Sequence, residues 1–366
     1  MPAFLSLALV CCVFNPPGDD DREIVFTTAG SSFNPLIVVE GAAEVLWSFS
    51  DGSTSDSQAP AIDFGTEGRR VQRLRVTPWS ALKVIDIGYD GGDGGILDLV
   101  VYGKADQSVE AVENLDLAAS GLAVWCSSYN RIESLDFSNF INLHTIECFR
   151  SGFLRSVSLT NCPSLRRACF EECNLGNLDL RGCPDLEDLR AAENDFPSVI
   201  FAPSMPALWH ICIRDNPQMT AQSLFASPDR FPGLRELFIW NDNQAGVLKL
   251  GSLSTARVDI QVYDNYYTSA DFSGALQDES SNAFLELQNN LLTDINIEGC
   301  DQILFLNLRN NQLGESAVQY VLVTLDALGR QDGSVYLDGS GNAAPPPGAA
   351  TAIANLLAKG WTVLVN

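Results

Sequence analysis

The fold is decided between residues 154 and 216, which read LRSVSLTNCPSLRRACFEECNLGNLDLRGCPDLEDLRAAENDFPSVIFAPSMPALWHICIRDN. Two short units alternate along this stretch. One begins at Val157, Leu178 and Val199, and the other at Ala168, Leu189 and Ile211. The spacings are 21 and 21 residues for the first unit, and 21 and 22 for the second. A fixed period in the twenties indicates a solenoid, in which each unit forms a coil and neighbouring coils share one core.

Apart from the unit at Val199, each unit has two apolar residues around one outward residue, followed three positions later by Asn or Cys. Leu189-Arg190-Ala191-Ala192-Glu193-Asn194 is an example. Alternate side chains of a strand point to opposite faces, so Leu189 and Ala191 are predicted to point into the core. This L-x-L-x-x-N/C pattern resembles the leucine-rich-repeat family of bacterial and phage proteins. The resemblance implies a solenoid of α/β to mainly β class, with a buried Asn that bonds the backbone of neighbouring coils.

The ten cysteines of the chain are mostly explained by the repeat. The Asn/Cys position is occupied by Cys162, Cys173, Cys183 and Cys300. Cys126 and Cys148 are assigned to inward strand positions, so these six are predicted to be core thiols. Cys169 and Cys212 are assigned to outward positions and are the candidates for reactivity. Cys162, Cys169, Cys173 and Cys183 superficially resemble a zinc-binding set, but the repeat places them on different faces, so no metal is expected.

The formal net charge of −24 argues against several classes of partner. Phosphate backbones repel such a surface, which argues against nucleic acid. An anionic membrane surface is disfavoured for the same reason. The charge fits a protein with an exposed, non-aggregating surface.

Residues 1–21 form an apolar segment followed by a linker. Residues 1–14 read MPAFLSLALVCCVF, and Pro, Gly and Asp follow them. Two interpretations stay open: a secretory signal with Cys11 or Cys12 as a lipid-attachment site, or a retained apolar strand. The run has no Lys or Arg before it, which favours the retained strand. It is too short to span a bilayer.

Residues 22–78 are predicted to form a small β-sandwich of short strands bounded by turn residues. Trp47-Ser48-Phe49-Ser50-Asp51-Gly52 is followed by Pro60 and Phe64 and by an alternating strand over residues 71–76. The segment resembles the polycystic-kidney-disease-type immunoglobulin-like module, with Ser50 in place of a usual Gly. The resemblance implies a spacer that also caps the apolar end of the solenoid.

Residues 79–315 are predicted to form the solenoid, beginning near Leu82. Asp90 and Asp93, in a glycine-rich loop, are oxygen ligands of the kind that calcium takes. That loop lacks a repeated nonapeptide pattern, so no calcium is expected. Residues 217–233 are an insertion with a predicted short helix around residues 221–226.

Residues 316–366 are predicted to form a C-terminal cap. Apolar residues recur at helical spacing over residues 316–328, and a second helix is expected over residues 349–358. Strands are expected at residues 335–337 and 361–365. This ending resembles the C-terminal cap of bacterial and phage leucine-rich-repeat proteins.

The sequence offers no convergent catalytic set. Its two histidines, His144 and His210, belong to different coils. No G-x-S-x-G, H-E-x-x-H or phosphate-binding glycine loop is present. We therefore expect no enzyme activity and no cofactor.

Binding to another protein is the more credible activity. Outward positions of successive coils bring together His210, Arg214, Phe238, Trp240 and Tyr263, and aromatic and Arg side chains are enriched in interface hot spots. An ordinary mixed surface, or aromatics covered by the 217–233 insertion, is the alternative.

Two functions follow. The first is a non-enzymatic structural or attachment protein, present in several copies on the surface of a large assembly such as a phage virion. The second is a secreted or surface-anchored bacterial adhesin that binds a host protein or glycan. The resemblance to the immunoglobulin-like module and capped repeat favours the first.

Overall fold

The computed structural model describes residues 23–29, 31–87, 109–113, 122–219, 225, 230–251, 253, 257–276 and 281–366. The predictions for residues 1–21, for Asp90 and Asp93, and for all but Phe225 of the helix around residues 221–226 lie outside these ranges. No helix within the described ranges is long and apolar enough to cross a lipid bilayer.

The N-terminal strands are short and antiparallel. They are β1 (Ile24–Thr28), β2 (Ser32–Phe33), β3 (Leu36–Val39), β4 (Glu44–Ser48), β5 (Thr54–Ser55), β6 (Ile62–Asp63) and β7 (Arg70–Thr77). Four of them form a five-stranded sheet with β9 (Val109–Glu113), in the order β5-β4-β7-β1-β9, while β2 pairs with β6. The predicted strands of this region are confirmed, and its arrangement as an immunoglobulin-like sandwich stays a prediction.

Trp47 is at the centre of the N-terminal core. It is fully buried, and its ring lies 5.9 Å from that of Phe26, 5.8 Å from that of Phe33 and 6.2 Å from that of Phe49. Its indole N–H donates to the carbonyl oxygen of Ser57 over 3.1 Å, so the one polar atom of the ring is satisfied.

The rest of the described chain is a β-solenoid built on one long sheet. Its strands are β8 (Leu82–Asp86), β10 (Val124–Cys126), β12 (Thr145–Glu147), β14 (Arg167–Cys169), β16 (Asp188–Arg190), β18 (His210–Cys212), β19 (Glu236–Phe238), β21 (Val258–Gln261), β23 (Ala283–Glu286), β25 (Ile303–Asn307), β26 (Ser334–Tyr336) and β27 (Thr362–Leu364). With β3 they make a thirteen-stranded sheet. Every pairing is parallel except that between β3 and β8.

The second unit of the repeat forms smaller parallel sheets. β11 (Ser134–Asp136) pairs with β13 (Ser156–Ser158), and β15 (Leu178–Asp179) pairs with β17 (Val199–Ile200). β20 (Ala245–Lys249), β22 (Tyr266–Asp271) and β24 (Asp294–Asn296) form a third group. Each coil therefore contributes a strand to the long sheet and, in many coils, a second strand to one of these sheets.

Strand pairing crosses the predicted boundary near residue 78 between the N-terminal strands and the solenoid, in both directions. β3 belongs to the long sheet through its pairing with β8, while β9 pairs with β1 of the N-terminal sheet. The two parts share one hydrophobic core that extends from Ile24 to Trp361. Backbone pairing across the boundary joins two parts that the sequence pattern separates.

The inward row of the long sheet is confirmed. Its central members pair directly from coil to coil, and each is fully buried: Trp125, Ile146, Ala168, Leu189, Ile211, Leu237, Ile260, Leu285, Leu306 and Val335. Because Trp125 occupies this row, the next residue, Cys126, points outward. The assignment of Cys126 to the core is therefore wrong, and that of Cys148, which is fully buried, is confirmed.

The Asn/Cys position links the coils. The Asn194 side-chain amide donates to the carbonyl of Phe170 over 2.7 Å, and its oxygen accepts the backbone N–H of Leu175 over 3.0 Å. The thiols of Cys162, Cys173 and Cys300 donate to equivalent carbonyls over 3.0, 2.8 and 2.9 Å. Their predicted place as core fillers is confirmed, and burial raises the pKa of Cys173 and of Cys300 to about 12.

The residue before this position makes a left-handed turn in nine successive coils. Its φ lies between 52° and 60° at Tyr129, Arg150, Glu172, Glu193, Asp215, Asn241, Asp264, Asn289 and Asn310. Such a conformation costs a non-glycine residue about 1 kcal/mol. In return its backbone N–H points at the next coil, as in the 2.9 Å bond from Asp215 to the carbonyl of Trp240.

The predicted helices and strands of residues 316–366 are confirmed, and their role as a cap stays a prediction. α1 (Glu315–Ala327) buries Val318, Val321, Leu322 and Leu325, as the helical spacing predicts. α2 (Ala350–Ala358) follows, and β27 is the last strand of the long sheet. Trp361 is 3% exposed, and its indole N–H donates to the Arg330 carbonyl over 2.8 Å.

Candidate protein-binding surface

The outward side chains of the long sheet form a continuous surface, which we call the sheet face. Each coil contributes the residue before the inward row, the residue after it, and a third residue two positions further along. Adjacent strands of a sheet lie about 4.8 Å apart, so side chains in the same row contact one another from coil to coil. Residues distant in sequence thus become neighbours on this surface.

Phe238, Trp240 and Tyr263 are brought together with Arg214, and we call these four residues the aromatic cluster. The Trp240 and Tyr263 rings stack with centroids 5.0 Å apart and planes at 7°. The ring of Phe238 lies 6.1 Å from that of Trp240. The Arg214 guanidinium lies 5.5 Å from the Trp240 ring centroid, on a neighbouring coil. All four side chains are half-buried, so each keeps a surface that a partner can contact.

Arg214 is fixed by two carboxylates. It pairs with Glu193 over 2.8 Å and with Asp215 over 2.7 Å. A cation–π contact contributes about 0.5–1 kcal/mol at an exposed site. The guanidinium is therefore held in place before any partner binds, which reduces the entropy cost of binding.

His210 lies beneath the aromatic cluster rather than within its accessible surface. It is 5% exposed, and its ring centroid is 5.6 Å from that of Phe238. Its Nδ1 is 2.6 Å from Asp188, and its Nε2 is 3.8 Å from Glu236. The structure thus corrects the expectation of His210 as a partner contact, because flanking side chains of neighbouring coils cover it.

Asp188 is the centre of a buried charge network that sequence reasoning did not single out. It is 5% exposed and accepts from Arg167 over 2.8 Å, besides its contact with His210. Burial alone would raise its pKa. The hydrogen bond from His210 and the positive charges around it outweigh burial, so the pKa of Asp188 is lowered. The row spacing from Arg167 to Asp188 to His210 is the sequence signal that places these groups side by side.

Cys169 and Cys212 occupy outward positions, as predicted, but neither is accessible. They are 4% and 6% exposed. Burial, reinforced by the charge of Glu171, raises the pKa of Cys212 to about 12, and burial also raises the pKa of Cys169 well above its ordinary value. A reactive cysteine needs the opposite environment, so burial disfavours the reactivity for which these two thiols are candidates.

A second aromatic group lies further along the sheet face and was missed. The rings of Phe284 and Phe305 are 6.5 Å apart, and those of Phe305 and Tyr336 are 5.4 Å apart. Arg257 and Arg309 lie 4.7 and 4.3 Å over the rings of Phe284 and Tyr336. Phe284 and Phe305 occupy the same strand position as His210, one residue before the inward row, in later coils. Listing this position for every coil of the repeat would have identified both residues.

The described aromatic residues of the 217–233 insertion pack away from the aromatic cluster. The rings of Phe225 and Phe231 lie 6.5 and 5.0 Å from that of Phe201, which follows β17 in the second unit of its coil. Within the described residues, the insertion therefore extends the core on the β15–β17 side.

The described part of the chain contains no group of three or more His, Cys, Asp or Glu side chains placed to hold a metal ion. Cys162 and Cys183 are neighbours in one row, while Cys173 belongs to the other series of coils and Cys169 to the sheet face. These four cysteines do not converge.

No protein-family model matches the chain, and no curated protein sequence does. Among solved structures, it is similar to a chain titled the functional domain of InlJ from Listeria monocytogenes, which includes a cysteine ladder. The identity is 14% and the TM-score 0.30, over 61% of this chain and 57% of that one. The match thus spans little more than half of the InlJ chain.

Proposed function

We propose that this protein is a non-enzymatic structural or attachment protein that binds another protein through the aromatic cluster. The observation that carries the proposal is the Arg214–Trp240–Tyr263 stack, which is held in place from three different coils. Trp, Tyr and Arg dominate the energetics of protein interfaces, particularly where they are rigid before binding. The sheet face extends this stack with Phe238 and with the Phe284–Phe305–Tyr336 group.

The proposal includes the type of repeat and of N-terminal module. The side-chain amides at the Asn/Cys position and the left-handed turns support a leucine-rich-repeat solenoid. The buried Trp47 and the turn at Asp51 and Gly52, where Gly52 has a φ of 86°, support a polycystic-kidney-disease-like module. A spacer joined to a binding solenoid suits a protein that is displayed on a larger particle.

The absence of catalysis is also part of the proposal. The His210–Asp188 pair has the geometry of an acid–base pair. Its neighbour Cys212 has a raised pKa of about 12, which disfavours the thiolate needed for nucleophilic attack. The pair is better explained as a structural link between coils.

Site-specific photo-crosslinking tests the binding surface. Trp240 is replaced by p-benzoylphenylalanine in the native assembly, and Val323, which is 45% exposed on α1, receives the same replacement as a control. We expect position 240 to crosslink to another protein and position 323 not to. Equal crosslinking at both positions, or none at 240, would remove the aromatic cluster from consideration.

Mass spectrometry of the native N-terminus tests whether the protein is a virion component or an exported adhesin. A virion component would keep Met1, or lose Met1 alone, and would sediment with particles. A new N-terminus between Cys11 and Pro16, or a lipid on Cys11 or Cys12, would instead support the exported adhesin. The two outcomes separate the locations without bearing on the binding surface.

A further inference from the structure

One position of the side-chain ladder between coils holds an acid instead of an amide. The ladder is formed by Asn194, Asn216, Asp242, Asn265, Asn290, Asn311 and Asn342, all of them buried. Each side-chain oxygen accepts a backbone N–H of an adjacent coil. Asn216 Oδ1 accepts from Asn194 over 3.1 Å, and Asn265 Oδ1 accepts from Asp242 over 3.2 Å.

The other side-chain atom of each Asn is a donor. Its Nδ2 bonds the carbonyl of the second inward residue in the preceding coil, and these carbonyls belong to Phe170, Ala191, Ile239, Val262, Leu287 and Leu308. The distances range from 2.6 Å, for Asn265, to 3.2 Å, for Asn216. Each Asn of the ladder therefore supplies an acceptor and a donor on the same side chain.

Asp242 takes the acceptor role in the same way as the amides. Its Oδ1 accepts the backbone N–H of Asn216 over 2.6 Å. Its Oδ2 therefore occupies the place of the Asn Nδ2, and it is buried with no hydrogen-bond partner among the described residues. The carbonyl that corresponds to this place in the repeat is that of Ile213. An ionised carboxylate has only acceptor atoms, so it would meet a carbonyl oxygen without a proton between them.

We propose that Asp242 is a neutral carboxylic acid in the folded protein, with Oδ2–H as the donor to the Ile213 carbonyl, and that loss of this proton weakens the junction of the coils beneath the aromatic cluster. The Asn216 N–H holds Oδ1 of the side chain, and no group among the described residues donates a hydrogen bond to Oδ2. Arg214 and Trp240 lie within two residues of this junction.

The electrostatic surroundings agree with a retained proton. Burial raises the pKa of Asp242 to about 8, the hydrogen bond from Asn216 lowers it, the charge of Asp215 raises it, and the charge of Arg214 lowers it. Both charged groups belong to the preceding coil. On the following coil the ladder neighbour is Asn265, which is uncharged.

The proton on Asp242 makes the folded state less stable as the pH rises. The unfolded chain releases this proton near the ordinary Asp value of 3.8, whereas the folded chain holds it up to about pH 8. Between these values the folded state binds one more proton than the unfolded state. The contribution of Asp242 is therefore fully present at low pH, and the unfolding equilibrium constant rises about tenfold for each pH unit gained across this window.

Chemical unfolding of the wild type and of Asp242→Asn at pH 5, 6, 7 and 8 tests the proposal. We expect the ratio of the wild-type to the variant unfolding constant to rise about tenfold per pH unit between pH 5 and pH 7, and by about fivefold between pH 7 and pH 8, where the folded chain begins to release the proton. Asp195→Asn, which removes an exposed carboxylate next to Asn194, is the matched control and should leave the wild-type pH dependence unchanged. A ratio for Asp242→Asn that does not change with pH would overturn the proposal.

A direct measurement of the Asp242 protonation state separates its titration from other effects of the substitution on stability. The carboxyl ¹³C resonance of Asp242, assigned by its loss in Asp242→Asn, is followed against pH in the folded wild type. A midpoint near pH 8 supports the neutral acid. A midpoint near pH 4 would overturn it, whatever the unfolding data show.

Discussion

The indole ring of Trp240 and the phenol ring of Tyr263 lie face to face on adjacent coils, with centroids 5.0 Å apart and planes 7° from parallel. Arg214 lies on the coil on the other side of Trp240, at 5.5 Å from its ring. The stack is built by the coil spacing, because two residues 23 positions apart occupy the same row of the sheet face. A rigid stack of this kind can bind without first being ordered.

We expect Trp240 and Tyr263 to be energetically coupled. Aromatic pairs contribute about 0.5–1.5 kcal/mol beyond the area they bury. A double-mutant cycle of Trp240→Ala and Tyr263→Ala, measured by chemical unfolding, should give a coupling of about 1 kcal/mol. Strict additivity would contradict the stack.

Asp188→Asn should be strongly destabilising at neutral pH. It removes one of the two carboxylates that pair with Arg167, whose side chain is 13% exposed and which keeps Glu147, and it also removes the carboxylate that pairs with His210. Breaking a buried pair costs about 3 kcal/mol. Glu236→Gln is the control, since Glu236 is half-exposed on the far side of His210 and should cost less than about 1 kcal/mol. Equal costs would contradict a central role for Asp188.

The same network gives an acid dependence. The folded pKa of Asp188 is lowered, so its contribution is present above the unfolded value of 3.8 and is lost as the pH falls through the folded value. Unfolding measured from pH 6 down to pH 2 should show this loss in the wild type. The loss should be missing from Asp188→Asn, and a variant that follows the wild-type slope would contradict the pairing.

Asn194→Ala should cost more than Cys173→Ala, although both residues occupy the Asn/Cys position. Removing Asn194 leaves the Leu175 N–H and the Phe170 carbonyl without their partner, and each unsatisfied buried group costs about 1–3 kcal/mol. Removing Cys173 takes away one thiol bond to the Cys148 carbonyl. Thermal unfolding of the two variants compares them, and a Cys173→Ala loss as large as that of Asn194→Ala would contradict the ladder.

Gly182→Ala should prevent close packing of two coils. A Cβ at Gly182 would overlap the carbonyl oxygen of Leu159 and lie 2.6 Å from the backbone nitrogen of Asn161. Backbone atoms cannot rotate away, so we expect a loss of about 3 kcal/mol or more. Gly152→Ala is the control, since a Cβ there would meet nothing within 4 Å. Chemical unfolding of the two variants compares them, and Gly152→Ala should change the unfolding midpoint little.

Thiol labelling should distinguish the cysteines of the sheet face. Among the eight described cysteines, Cys126 is half-buried and the others are buried. Burial raises the pKa of Cys126, so its reaction with a thiol reagent should be slow but faster than that of Cys169 or Cys212. Mass spectrometry after brief labelling of the native protein identifies the modified site. Early modification of Cys212 would contradict its burial.

The repeat and its inward row were predictable from the sequence. Leu189, Ile211 and their equivalents recur at a period that only a shared core explains, and the structure buries each of them completely. The first cap helix was predictable because its apolar residues follow helical spacing, and the second was predicted after the breaker at residues 345–348. The outward rows were predictable as well, and they brought Arg214, Phe238, Trp240 and Tyr263 to one surface.

The accessibility of outward residues was not predictable. His210, Cys169 and Cys212 were placed on the correct face, yet all three are buried by side chains from adjacent coils. The pattern at Val124-Trp125-Cys126 predicts the wrong face for Cys126, because a shift of one residue in register exchanges the two faces of a strand. The left-handed turns leave no apolar pattern and went unnoticed.

The amino-acid pattern alone specifies the coil, its period and which strand residues point inward, because these depend on local alternation repeated at a fixed interval. Three properties depend on the packing of neighbouring coils: which outward groups stay accessible, that Asp188 contacts charged groups of three coils, and that no described residue donates to the second oxygen of Asp242. Those properties depend on side chains about 20 residues apart along the chain and one strand spacing apart in space. Strand alternation assigns a residue to a face, whereas the neighbouring coils determine what covers it.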